Sequence, residues 1–136
     1  MLYKELRGNF PVAIAVPQLA AGSGAVTGGL FTVPNNFQIV SAAMLWAASI
    51  TGTATNFFTL SFFNRTTGAG TVQWGTAIAY SSGTNATKAT PVTVTLSSTA
   101  SDLQPAAGDA LSVEVSTTGT GLLCPGGTLM LTGRWR

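Results

Sequence analysis

Apolar and polar positions alternate along most of this chain, and the alternation breaks at short runs of Gly, Pro, Asn and Ser. Over residues 71–80, Val72, Trp74, Thr76, Ile78 and Tyr80 share one face, the period of two that belongs to a strand. Residues 90–96 put Val92, Val94 and Leu96 on one side and Thr93 and Thr95 on the other. Residues 109–115 turn Leu111, Val113 and Val115 inward and Ser112 and Glu114 outward. Residues 55–64 carry Phe57, Phe58, Leu60, Phe62 and Phe63, with aromatic rings on both faces. In the last segment, 128–135, Leu129, Leu131 and Gly133 alternate with Met130, Thr132 and Arg134. A further short strand, 29–33, closes at the turn-forming Pro34, Asn35 and Asn36. Loops are expected at 66–70, 81–88 and 117–125, and one helical turn at 98–103, capped by Ser98, Thr99 or Ser101.

The longest low-polarity run, 36–50, fits two periods. At helical spacing, Ile39, Ala42, Ala43, Trp46 and Ile50 form one stripe. At strand spacing, Val40, Ala42, Met44, Trp46, Ala48 and Ile50 face one way, while Phe37, Ile39, Ala43 and Leu45 face the other. A run that is apolar on both sides cannot be assigned by period alone. Its Thr-, Val- and Phe-rich neighbours, cut by Gly-containing turns, make it a strand. It is expected to be central and buried on both faces.

Residues 1–25 differ from the rest. Pro11, Pro17, Gly8 and the small residues at 20–25 oppose an independent fold, although Val12, Ile14 and Val16 alternate as a short strand would. The expectation is an extended N-terminal arm that pairs at an edge and acquires its order from neighbouring subunits, so that deleting residues 2–25 leaves the remainder folded. Lys4 and Arg7, the apolar stretch 10–16 and the small residues 19–25 imitate a secretion signal. The apolar stretch is short, however, and is bounded by prolines, and Glu5 sits among the cations. Seven strands follow the arm's one. Eight short strands without a long amphipathic helix predict an all-β, two-sheet antiparallel sandwich of jelly-roll type over residues 26–136.

Composition narrows the function. Charged residues make up 7% of the 136 residues, against about 25% in an ordinary soluble domain. Hydroxyl, amide and glycine residues take their place. A surface with a net charge of +2 and so few ionic groups has weak electrostatic protection against association, which points to burial by other subunits. The six cations, Lys4, Arg7, Arg65, Lys88, Arg134 and Arg136, are spread too thinly for a phosphate-binding face, so no nucleic-acid partner is expected. No apolar stretch approaches the 18 or so residues of a membrane-spanning helix. Cys124 is the single cysteine and reads as a small packed hydrophobe.

The residues also argue against catalysis. The chain has no histidine, hence no general base poised near neutral pH and no imidazole metal ligand. Its acidic side chains are Glu5, Asp102, Asp109 and Glu114. Asp109 and Glu114 fall on opposite faces of one strand, so they do not make the acid pair of a glycosidase. Asp109 follows Gly108 and reads as a turn residue bonding nearby backbone amides. The Gly pairs at 22/24, 68/70 and 119/121 lack the third glycine of a phosphate-cradling loop. No catalytic residue, cofactor, metal or small-molecule substrate is expected. The rings of Trp46, Trp74, Trp135, Tyr3 and Tyr80 are read as core or interface, with a sugar-stacking platform as the other use for them.

The order of features carries a resemblance. Phe31-Thr32-Val33-Pro34 leads into the long apolar strand. Ala107-Gly108-Asp109-Ala110-Leu111-Ser112-Val113 opens a later strand, and Gly119-Thr120-Gly121 precedes an apolar last one. Over residues 28–135 this resembles the small jelly-roll decoration, or cement, proteins on the capsids of tailed double-stranded DNA phages. That resemblance implies a non-enzymatic virion protein, made in the host cytoplasm and placed on the outer capsid surface. It also implies a homotrimer that clamps neighbouring major capsid subunits. Tyr3, Leu6, Val12, Ile14 and Val16 of the arm, with Arg134 and Arg136 at the other chain end, are the expected capsid-binding residues. The rival reading is a carbohydrate- or receptor-binding sandwich of a phage tail or fibre. An internal or minor capsid subunit is a third.

Overall fold

Period-two segments become eight strands in the computed structural model, which describes residues 8–136. In chain order they are β1 (Phe10–Val16), β2 (Val26–Thr32), β3 (Phe37–Trp46), β4 (Phe57–Asn64), β5 (Val72–Ala79), β6 (Val92–Thr93), β7 (Ala110–Thr118) and β8 (Gly127–Trp135). Two short 3-10 turns, Gly68–Gly70 and Ala100–Leu103, interrupt the loops. The second is the expected helical turn; Thr99 is its N-cap residue but makes no side-chain capping bond.

The strands form two four-stranded antiparallel sheets, β1-β8-β3-β6 and β2-β7-β4-β5. First pairs with last, second with seventh, third with sixth and fourth with fifth. That nesting is what results when one long hairpin is rolled up on itself, and it is the jelly roll. The sheets enclose one core, in which Trp46, Phe58 and Tyr80 form a ring cluster with centroids 4.9–5.5 Å apart. The Trp46 indole N–H donates to the Tyr80 hydroxyl at 2.6 Å, which satisfies both buried polar tips. Phe62 and Trp74 make a second pair. Phe37, Phe10, Phe31 and Trp135 close one end of the barrel.

Three readings of the sequence change. First, residues 90–96 do not pair with one strand. Val92 and Thr93 ladder with β3, and the Val94 N–H donates to the Ala42 carbonyl at 2.9 Å. Beyond that, the Thr76 N–H donates to the Thr95 carbonyl and the Ser97 N–H to the Trp74 carbonyl. The segment thus leaves one sheet and joins the other, stitching the sandwich shut on that side.

Second, the described part of the expected 1–25 arm pairs at a sheet edge, and it also contributes to the core. β1 runs along β8 from Phe10↔Gly133 to Val16↔Gly127, and Ile14 and Val16 are 5% and 3% exposed. The alternation of Val12, Ile14 and Val16 therefore supplies core residues. Pro11 is accommodated because β1 is an edge strand, where a missing N–H costs no ladder bond.

Third, β3 is not buried on both faces. A bulge between Ile39 and Ser41 changes its phase, so Phe37, Ile39, Ala42, Met44 and Trp46 all point into the core. Val40, Ser41, Ala43 and Leu45 are left on the outside.

Candidate functional site: an uncharged sheet face

The described acidic side chains, Asp102, Asp109 and Glu114, are held in separate structural roles. Asp109 is buried, and its Oδ2 accepts from the Asn64 side-chain amide at 2.9 Å, the Ala106 N–H at 3.0 Å and the Thr67 hydroxyl at 3.3 Å. Asn64 Oδ1 accepts from the N–H groups of Thr66 and Thr67. This network ties the loop after β4 to the turn before β7, the turn role expected for Asp109. Glu114 sits on the outer face of the second sheet and pairs with Arg65, whose guanidinium lies 4.1 Å from the Phe63 ring centre. Asp102 accepts from the Ser97 hydroxyl at 2.6 Å.

Ser97 and Asp102 border an open hollow of about 540 Å³, with Gln73, Thr76 and Thr95 along its wall. No second acid or base lines it. Among the described residues no group of three His, Cys, Asp or Glu side chains converges as a metal site would require. Cys124 is buried and unpaired, and burial pushes its thiol above the usual range.

The expected binding residues that are described divide between β1 and the end of the chain. Tyr3 and Leu6 lie outside the described residues. Ile14 and Val16 point into the core and Val12 is half-buried, facing Leu131, so these three hold β1 in place and are not a free surface. Arg134 is exposed and its Nε and Nη2 donate to Gln38 Oε1. Arg136 donates to the carbonyls of Phe37 and Gln104 and to Gln104 Oε1, which fastens the chain end to the loop before β7. Of the rings considered for sugar stacking, Trp46, Trp74 and Tyr80 are core, and Trp135 packs between Phe10 and Phe37. Tyr3 again falls outside the described residues.

The two outer sheet faces are chemically unlike, and this asymmetry was not read from the sequence. On the second sheet the outward positions include Thr27, Glu114 and Ser61 in one row and Ser116 and Thr59 in another, with Arg65 lying over Phe63. The same face also carries apolar positions: Leu30, 64% exposed, and Phe63 stand on either side of the buried Ser112, and Phe57 lies opposite Thr118. On the first sheet, Ala13, Met130 and Ala43 form one row and Ala15, Thr128 and Leu45 the next, with Pro11, Thr132 and Ser41 beyond them. Val40 stands out at the bulge, 38% exposed. No charged side chain occurs until Arg134, at the sheet's end beside Gln38. An exposed antiparallel sheet face ordinarily alternates polar-out. Here the outward positions short of Arg134 and Gln38 are uncharged, and of those named only Ser41, Thr128 and Thr132 are polar. The signal available in the sequence was the two-sided apolarity of 36–50, together with Ala13, Ala15 and Met130 at outward phases.

No protein-family model matches the chain, and no curated protein matches it. Among solved structures, it is similar to a chain in a structure of infectious bursal disease virus, Gx strain, with a TM-score of 0.49 and 10% identity over 93% of this chain. This chain spans 32% of the length of that one. The jelly-roll assignment itself rests on the strand order.

Proposed function

We propose that this chain is a structural, non-enzymatic subunit of a virus particle, a jelly-roll decoration protein that assembles with itself and grips neighbouring major capsid subunits from outside. The observation that carries the reading is the difference between the two outer sheet faces. One carries an ion pair, while the other is uncharged from Pro11 to Leu45 across three strands. An uncharged sheet face left open in the isolated chain fits a subunit of a larger assembly. The low charge of the whole chain and the absence of a converging acid–base or metal set among the described residues point the same way.

On this reading Arg134, exposed at the end of β8, supplies a cation that meets acidic groups on the capsid. The receptor-binding alternative loses its chief support, because Trp46, Trp74 and Tyr80 present no ring to solvent. The test is cosedimentation of the purified protein with capsids of its parent virus that lack it, followed by imaging. Saturable binding to the outer surface is expected. Failure to bind such capsids, with specific glycan binding on an array, overturns the proposal.

A further inference from the structure

We infer that the outer face of the first sheet is the contact between two copies of this chain, packed face to face. The inference rests on reading that face as a covered surface, and it stands or falls independently of any attachment to a capsid.

Four observations select a second copy as the occupant. The first is charge. The face offers nothing for an acidic or basic partner to recognise, and an uncharged face is one that can meet its own image without repulsion. The second is relief. Met130, Leu45 and Val40 are the large side chains at outward positions, Val40 exposed and the other two half-buried, with the small Ala13, Ala15, Ala43 and Ser41 between them. A half-turn about an axis in the contact plane and across the strands sets the raised residues of one copy over the low ones of the other. Sheets pack in this way at about 10 Å, with strands within about 30° of alignment.

The third is the placement of the remaining cation. Arg134 lies at the end of the face where β8 finishes. The same half-turn puts the two copies' Arg134 residues at opposite ends of the contact, roughly 30 Å apart along a nine-residue strand at about 3.3 Å per residue. The fourth is area. Strands of seven, nine and ten residues, spaced about 4.8 Å, give a projected face of about 400 Å² per copy. Two such faces bury about 800 Å² before the relief of the side chains is counted, close to the 1,000 Å² or so at which specific contacts begin. The pairing is therefore concentration-dependent, not permanent. It closes at two copies, so a trimer of the kind implied by the family resemblance needs a second, different contact.

The experiment is sedimentation velocity on the full chain from about 1 µM to about 1 mM, in low and high salt, with two variants on the face and one control. Ala43→Glu and Ala13→Glu each place a carboxylate in the contact, opposite or beside its own copy. Thr59→Glu does the same on the outer face of the second sheet. The wild type and Thr59→Glu should associate with the same midpoint, unchanged by salt. Both face variants should shift that midpoint at least about a hundredfold, as like charges brought together in a contact do. Melting curves establish that each variant is folded, and two variants on different strands guard against the loss of one. A wild type that stays monomeric to 1 mM overturns the inference. So does association that survives both face substitutions, or that Thr59→Glu abolishes equally. Loss of capsid binding in the face variants, with self-association intact, would assign the face to the capsid instead.

Discussion

Replacing Gly133 by alanine adds one methyl group where β8 has no room for it. Gly133 pairs with Phe10 on one side and Ile39 on the other, in the middle of the first sheet. A Cβ built there lies 1.9 Å from Cζ and 2.1 Å from Cε2 of Phe37. Ordinary contact begins at 3.4 Å, so the ring has to retreat by about 1.5 Å. Phe37 is fully buried, and Phe10, Trp135 and Phe31 stand around it with centroids 5.5, 5.7 and 6.2 Å away. Moving one ring therefore means moving several. Overpacking of this kind costs about 1–3 kcal/mol, and with so few places to relax the upper half of that range is expected. For a domain of this size the melting temperature should fall on the order of 10 °C. The decisive assay is a double-mutant cycle with Phe37→Leu, which removes the ring atoms that collide. Gly133→Ala should cost less than about 1 kcal/mol in that background, a coupling of at least about 1 kcal/mol. If Gly133→Ala lowers the melting temperature equally in both backgrounds, or by less than about 2 °C, the proposed packing of Phe37 on the glycine is wrong.

Other perturbations follow from the same contacts. Leu131 is fully buried opposite Val12 and Ala42, so Leu131→Ala should destabilise by about 2–5 kcal/mol in urea unfolding, and a loss below about 0.5 would place β8 outside the core. Asp109→Ala strands the Asn64 amide and the Ala106 N–H and should cost about 1–3 kcal/mol; a neutral result would show that the two loops are not tied through it. Burial raises the ionisations of Tyr80 and Cys124, so the folded state holds their protons more tightly than the unfolded chain does. Stability should then be full below about pH 8.5 and fall as pH rises beyond it, with Tyr80→Phe removing the part of the decline that begins above about pH 10. Deleting residues 2–25 removes β1 and with it Ile14 and Val16, so the truncated chain should lose its cooperative melt; an unchanged melting temperature would return β1 to the status of a separate arm.

Strand positions were legible because this fold states them locally. Val72, Trp74 and Tyr80 announce β5 without reference to anything else, and Leu111, Val113 and Val115 announce β7. Asp109 could be read as a turn residue for the same reason, since one of its bonds reaches back only three residues, to Ala106. Its partner Asn64 was not legible, because 45 residues separate them and only the crossing between strands of the roll brings them together. The split of residues 92–97 between two sheets was hidden for a related reason. Val92, Val94 and Leu96 keep a strand's alternation throughout, and alternation does not say which neighbour the backbone bonds to.

The candidate site lies in a segment where the sequence and the isolated chain disagree about burial. Residues 36–50 carry the composition of a strand covered on both faces, yet the jelly roll covers only one. The bulge at Val40 explains how. With strict alternation, Phe37 and Ile39 would share a face with Ala43 and Leu45, and part of the core's bulk would be turned outward. The extra residue lets Phe37 and Ile39 join Ala42, Met44 and Trp46 inside, which gathers the large side chains into the core and leaves Val40, Ser41, Ala43 and Leu45 outside. Folding thus accounts for one half of the strand's apolar character and leaves the other half without a function in the monomer. The neighbouring strands repeat the pattern, with Ala13 and Ala15 on β1 and Met130 on β8 at outward positions in register with Ala43 and Leu45. Three strands distant in sequence would not share such a bias by the demands of the core, which none of these side chains enters. The proposed contact between copies accounts for all of them at once.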